Sequence, residues 1–278
     1  MKNSVRILMI GDVIGQPGCA MFQKQIGHLR EAYSVDAVII NGENSDSRGR
    51  GITSRIMHFY KHNGVDVVTS GNHIWSNNQI YEYLSKNTDL LRPANFPGTC
   101  PGTGVTTFLC DGVAIGVMNL QGRIFMRDHL DCPFATAESI LTYLRDKTNI
   151  VVVDFHAEAT SEKIGMGWFL DGKVSAVVGT HSHVQTADER ILPGGTAYIT
   201  DLGMVGAYNS MIGMKKETVL PHFLTQMPSK FLVETAPPFF LCGVIIEIDA
   251  QTGKAKSIER IKIIDEDVQV EQSKDLGK

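Results

Sequence analysis

The chain has 278 residues, 43% of them hydrophobic and 20% charged, enough to bury a sizeable core within one large α/β domain. A net charge of -4 argues against the broad basic face that grips a nucleic-acid backbone, without excluding RNA, and leaves room for a small phosphorylated substrate. Five scattered cysteines with no CxxC pair argue against a disulfide framework or a zinc-thiolate site and for a reducing cytoplasm. No secretory h-region and no run of ~18 apolar residues is present to direct the chain into or across a membrane.

The first predicted strand, Val5 to Ile10, breaks at Gly11 and leads through Gly15 and Pro17 into a helical pattern ending near Tyr33. Val35 to Asn41 reads as a second strand, followed by a polar loop from Ser45 to Gly51. Thr53 can cap a helix whose apolar residues Ile56, Phe59 and Tyr60 share a face, with Gly64 as its stop. Val65 to Ser70 is the third strand, and this alternation predicts a parallel sheet flanked by helices.

The rhythm changes in residues 91–132. A Pro and Gly cluster precedes two apolar runs joined by Asp111-Gly112, a hairpin-turn dipeptide, so the segment reads either as an antiparallel β insertion or as a second sheet. A helix near Ala135 to Asp146 returns the chain to a strand at Ile150 to Asp154. Further strands fall at Ser175 to Gly179 and Ala197 to Thr200, and Phe239 to Asp249 with Lys256 to Ile264 form a terminal hairpin. The expected organisation is one domain over residues 1–268 and a frayed charged tail over 269–278.

The chemistry gathers where the strands should end. Gly11-Asp12, Asn41-Gly42-Glu43-Asn44, Gly71-Asn72-His73, Asp154-Phe155-His156 and Gly179-Thr180-His181-Ser182-His183 each follow an apolar run. Strands buried on both faces of a parallel sheet read as such runs. Their carboxyl ends form the ligand crevice of an α/β fold, so these groups should converge on one edge of a sheet.

Taken singly, each has a plain alternative. Asp12 can merely cap a helix, Glu43 and Asn44 can belong to a polar turn, and Asn72 and His73 can sit in a turn that suits their backbone tolerance. Together they are more specific. His181 and His183, two apart in an extended segment, would face the same side, beside His156. The other histidines (His28, His58, His62, His129 and His222) fall in helical or loop patterns and read as solvated or packed. Two divalent cations sharing an oxygen need roughly six to eight protein ligands. Asp12, Glu43, Asn44, Asn72, His156, His181 and His183 supply a mixed imidazole, carboxylate and amide set, which suits Mn, Fe or Zn better than Ca.

The order and spacing of these groups resemble the calcineurin-like metallophosphoesterases. Val13 and Ile14 stand where that superfamily places a D-x-H histidine, Gly42-Glu43-Asn44 where it places a bridging aspartate, and Thr180 intrudes before His181. Those departures are similar to one bacterial branch, the YmdB-like phosphodiesterases. The match runs through Met9-Ile10-Gly11-Asp12-Val13, Asn41 to Asn44, Gly71-Asn72-His73, Asp154 to Lys163 and Gly179 to Gly206, and spans the chain from about Ile7 to Ile264.

The resemblance implies an α/β fold of layered mixed β-sheets flanked by helices, an α/β/β/α sandwich with its metal site at the C-terminal strand ends. It implies that Asp12, Asn44 and His183 hold one transition-metal ion, that Asn72, His156 and His181 hold a second (Fe or Mn, with Zn as the alternative), and that Glu43 bridges them. His73 would donate the proton to the leaving oxygen while a hydroxide bridging the ions attacks phosphorus. The implied substrate is a small cyclic nucleotide, of 2′,3′- or 3′,5′-cyclic type, and the family also suggests a homo-oligomer. From the sequence itself, Arg48 and Arg50 could clamp a phosphate oxygen or belong to a solvated loop. Glu158 and Glu162 could orient the ligands or simply begin a helix. A nuclease, a nucleotidase or phosphatase using the same ions, and a metal-bound nucleotide sensor without turnover, stay open.

Overall fold

The computed structural model describes residues 2–270, so most of the charged tail read over 269–278 lies outside the described residues. In chain order the elements are β1 (Ser4–Ile10), β2 (Asp12–Val13), α1 (Gly15–Tyr33), β3 (Ala37–Asn41), α2 (Ser54–His62), β4 (Val67–Thr69) and α3 (Tyr81–Lys86). Then follow β5 (Val105–Cys110), β6 (Val113–Gln121), α4 (Pro133–Leu144), β7 (Ile150–His156), α5 (Thr160–Leu170) and β8 (Ala176–Thr180). The last are β9 (Arg190–Ile191), β10 (Ala197–Ile199), β11 (Met204–Ala207), α6 (Lys216–Thr225), β12 (Phe239–Asp249) and β13 (Ala255–Asp265).

The strands form two mixed sheets. One runs β2-β11-β12-β1-β3-β4, with β13 added on β12; the other runs β5-β6-β7-β8-β10-β9. Within the first, β1, β3 and β4 are parallel, whereas β12 lies antiparallel against β1 with Ile10 opposite Gly243. In the second, β6, β7, β8 and β10 are parallel.

Strand periodicity explains the layering. Val5, Ile7 and Met9 of β1 point into a core that they share with Ile150, Val152, Ala176 and Val178 of the other sheet. Leu8 and Ile10 point the opposite way, into a core completed by Phe22 of α1 and Tyr60 of α2. On the far side, Val151 and Val153 pack with Leu141 of α4 and Met166 of α5. Helix, sheet, sheet and helix are therefore four layers with three apolar seams, as the resemblance implied.

Local signals act as read from the sequence. Thr53 accepts a hydrogen bond from Ile56 N at 3.3 Å and so caps α2. Asp111 and Gly112 both take positive φ (48° and 81°), the turn that closes the β5-β6 hairpin. That hairpin is the edge of the second sheet, and β6 runs parallel to β7. No helix among the described residues is long and apolar enough to cross a membrane.

Candidate metal centre

Eight strand-end side chains, the seven expected ligands and His73, meet at one place, but from two sheets rather than along one sheet's edge. β1, β3 and β4 of the first sheet deliver Asp12, Glu43, Asn44, Asn72 and His73; β7 and β8 of the second deliver His156, His181 and His183. Asp12, Glu43, Asn44 and His156 are each at most 1% exposed. The backbone leaving β4 passes so close to the His156 ring that a Cβ at Gly71 would stand 2.1 Å from it, which is why a glycine precedes Asn72.

The donor atoms fall into two groups. Around His156 Nε2 lie Asn72 Oδ1 at 2.9 Å, His181 Nδ1 at 3.0 Å and Glu43 Oε1 at 3.1 Å. Beside it, His183 Nε2 lies 3.7 Å from Asp12 Oδ1, with the Asn44 amide 3.3 Å from both. Asn44 turns its amide nitrogen toward these atoms; a half-rotation about its terminal torsion presents the carbonyl oxygen instead.

Hydrogen bonds on the outer side of each ring decide the chemistry of the inner side. His156 Nδ1 donates to Thr180 Oγ1 at 2.9 Å, and the threonine hydroxyl donates to Asp154 Oδ1 at 2.7 Å. His183 Nδ1 donates to the Ile212 carbonyl at 3.0 Å, and His181 Nε2 lies 3.0 Å from Glu158 Oε2. Each imidazole thus carries its proton outward and turns an unprotonated nitrogen inward, the arrangement of metal-ligating histidines. Burial also holds His156 and His181 down to about 4, keeping both neutral at ordinary pH.

A divalent ion fits this donor set. Three acceptors cannot all hydrogen-bond to one unprotonated ring nitrogen, whereas ligands about 2.1 Å from a common ion lie about 3 Å from one another. Glu43 Oε1 is buried without a hydrogen-bond donor. Burial raises the Asp12 carboxyl as well, so a cation beside it would favour its charged form.

The two-residue spacing of His181 and His183 works by another route than strand alternation. Both lie beyond β8 with positive φ, 100° and 63°, so the loop curls and brings each ring inward. Such backbone is costly for residues with a Cβ and persists only where neighbours impose it. Here Asp12 Oδ2 accepts from His181 N at 3.1 Å, and Asp201 Oδ2 accepts from Ser182 N at 3.1 Å.

Asp201 is itself fixed by Lys163 Nζ at 2.6 Å, a pair with both side chains at most 2% exposed. Removing one partner leaves a buried charge alone, so Lys163→Met is expected to cost about 3–5 kcal/mol. Denaturant unfolding checks this, and wild-type stability in that variant would remove the pair from the support of the histidine loop.

Asp154, Thr180, Asp201 and Lys163 are supports that the sequence reading passed over. Asp154 also accepts from Asn41 Nδ2 at 3.1 Å and from the Thr69 hydroxyl. A polar residue ending an apolar strand, as at Asn41, Thr69, Asp154 and Thr180, was the available signal. The two glutamates after His156 divide: Glu158 meets His181, while Glu162 accepts from the backbone N–H groups of Arg123 and Ile124 at 3.0 and 3.2 Å.

The centre opens on a cavity of about 440 Å³ lined by Arg50, Asn72, His73, Phe125, Arg127 and His181, among others. The two arginines of the 45–51 loop differ. Arg50 lines this cavity and a neighbouring one, whereas Arg48 leans on Asp46 Oδ1 at 3.2 Å and lines only the neighbour. His73 is held by its backbone N–H, which donates to Glu43 Oε2 at 2.8 Å. Burial lowers the His73 imidazole; the Glu43 carboxylate opposes this, and the Arg50 charge adds to it. Outside the site, His58 packs edge-on against Tyr83 and His222 donates to the Met227 carbonyl.

The chain is 47% identical over 262 residues to a Bacillus subtilis 2′,3′-cyclic-nucleotide 2′-phosphodiesterase, covering 94% of this chain and 98% of that protein. Two crystal structures share the fold over nearly all of both chains. A Mycoplasma pneumoniae protein described as a novel phosphatase is 34% identical, with a TM-score of 0.89 and 96% of each chain covered. A hypothetical protein from Thermus thermophilus is 38% identical, with a TM-score of 0.86, over 94% of this chain and all of that one. The family model for YmdB-like protein matches residues 8–261, a span that contains every strand end contributing to the centre, and the chain belongs to that family.

Proposed function

We propose that the chain is a metal-dependent phosphodiesterase acting on small cyclic nucleotides, 2′,3′-cyclic ones first among them. The observation that carries the reading is the convergence of Asp12, Glu43, Asn44, Asn72, His156, His181 and His183, with the three imidazoles turned inward as unprotonated donors. The substrate class comes from the name of the Bacillus subtilis relative and from a cavity with room for more than a phosphate group. Five free thiols support a reducing, cytoplasmic setting.

Asp12, Asn44 and His183 would hold one divalent ion and Asn72, His156 and His181 a second, with Glu43 between them. Imidazole, carboxylate and amide ligands together favour Fe or Mn, with Zn as the alternative. When bound, such a pair supplies Lewis-acid polarisation of the phosphoryl group and a water acidified toward neutral pH. Arg50 stands at the cavity wall to meet a non-bridging phosphoryl oxygen. His73 donates its proton to the departing ribose oxygen. Burial disfavours the imidazolium, and an arriving phosphodiester opposes this by bringing a negative charge that favours it. Cleavage at the 2′ oxygen leaves a nucleoside 3′-monophosphate.

The test is purification without chelator, metal quantification and a panel of 2′,3′- and 3′,5′-cyclic nucleotides, a generic phosphodiester, phosphomonoesters and short RNA. The expected result is turnover of the 2′,3′-cyclic diesters that is abolished by chelation and restored by Mn or Fe. Preferred cleavage of monoesters would make the chain a phosphatase or nucleotidase, and preferred cleavage of RNA a nuclease. Stoichiometric nucleotide binding without turnover would make it a sensor.

A further inference from the structure

Phe125 lines the metal-centre cavity together with His73, and its ring is left in water. It is 85% exposed and held at φ 63°, a backbone region unfavourable for an aromatic residue. The segment that presents it is pinned to the centre. Gly122 N donates to the carbonyl of His156 at 2.9 Å, and the buried Glu162 carboxylate accepts from Arg123 N and Ile124 N. On its far side, Gln121 Nε2 donates to Asp128 Oδ2 at 2.9 Å. Hydrogen bonds therefore fix both ends of a short loop whose middle offers a bare aromatic ring.

The same cavity is lined by Arg127 and Asp128, neighbours of Phe125 along the chain, and by Arg50, Asn72 and His181. A phosphoryl group at the centre thus has beside it a planar apolar surface with hydrogen-bonding side chains at its edge. That combination matches a nucleobase, which offers a π-face to stack and polar edges to recognise. We propose that Phe125 is the platform on which the substrate's base stacks, making it a specificity-determining residue that favours nucleoside diesters over small aliphatic ones. The inference rests on the phosphodiesterase reading for its choice of ligand.

The experiment compares wild-type protein with Phe125→Ala and Phe125→Trp, all with their metal as purified. Adenosine 2′,3′-cyclic phosphate and glycerol 1,2-cyclic phosphate serve as substrates with and without a base. Losing the platform should raise KM for the adenosine diester about 5- to 100-fold, the usual effect of removing a stacking partner, with kcat within about twofold. Turnover of the glycerol diester should be unchanged, and Phe125→Trp should restore the adenosine KM. Equal loss on both diesters, which is what a merely structural loop would give, overturns the proposal; so does an unaltered adenosine KM.

A calorimetric arm separates this from the reaction itself by measuring adenosine 3′-monophosphate against inorganic phosphate. Phe125→Ala should weaken the nucleotide and spare the phosphate, and an equal effect on both, or none on the nucleotide, overturns the platform whether or not the protein turns over. Wild-type protein that cleaves neither diester sinks the phosphodiesterase reading and leaves the calorimetric comparison to decide Phe125.

Discussion

Glu43→Gln protein is expected to purify folded but with its metal largely lost, and with activity reduced by more than removing any supporting residue would cause. Glu43 is buried, and its two oxygens do different things. Oε2 accepts the His73 backbone N–H at 2.8 Å, while Oε1 faces the His156 lone pair at 3.1 Å without a donor. A glutamine keeps the first bond through its carbonyl and turns an amide N–H toward His156. It thereby converts an electrostatic conflict into a hydrogen bond, while withdrawing the negative charge and the second oxygen that a bridging ligand needs.

The chelated variant should consequently melt no lower than chelated wild-type protein, even though elemental analysis finds it metal-poor. Supporting residues around a metal typically change affinity by about 10–100-fold, and Glu158→Ala, which removes only the partner of His181 Nε2, should fall in that range. Glu43→Gln should exceed it. Full metal occupancy in Glu43→Gln would take Glu43 out of the centre, and a lower melting point in chelator would show that its charge is already compensated by the protein.

The distribution of what the sequence reveals follows from the physics of strand ends. Buried parallel strands advertise themselves as unbroken apolar runs, and β1, β3, β7 and β8 were found that way to within a few residues. Once those strands are placed, the residues following them must share the carboxyl-end crevice, so the list of candidate ligands needs no knowledge of side-chain contacts. Which sheet each strand joins is a different matter. β6 and β7 are parallel neighbours separated by a helix, and only their long-range register shows that the residues around 91–132 begin a second sheet.

The short elements β2 and β11 were missed because pairs such as Asp12 opposite Met204 leave almost no local pattern. The positive φ at His181 and His183 is equally invisible, since Asp12 and Asp201 impose it from elsewhere in the chain. Asp154 shows the same limit at the level of the site. It reads as the polar end of a strand, yet it fixes the Thr180 hydroxyl that sets the His156 tautomer. Burial pushes its carboxyl up to about 7 against the donors from Thr69, Thr180 and Asn41, an energetic cost visible only once the fold has closed over it.

His73→Ala should lower turnover of a 2′,3′-cyclic nucleotide by about 10²–10⁴-fold, the span of general acid catalysis, with metal content unchanged. The side chain lines the cavity beside Asn72, and its nearest polar contact within the centre is the Asn72 amide nitrogen at 3.5 Å. It therefore shares none of the close contacts that surround His156 Nε2, and truncating it leaves those side chains and the backbone bond to Glu43 in place.

Leaving-group chemistry separates a proton donor from a residue that only shapes the pocket. An alkoxide such as a ribose oxygen is a poor leaving group unless it is protonated as it departs, whereas p-nitrophenolate is stable as an anion and needs no proton. With a p-nitrophenyl diester the loss in His73→Ala should shrink to less than about tenfold, because the step that the imidazole assists is no longer demanding. An equal loss on both substrates would make His73 a positioning residue, and loss of bound metal would make it a ligand.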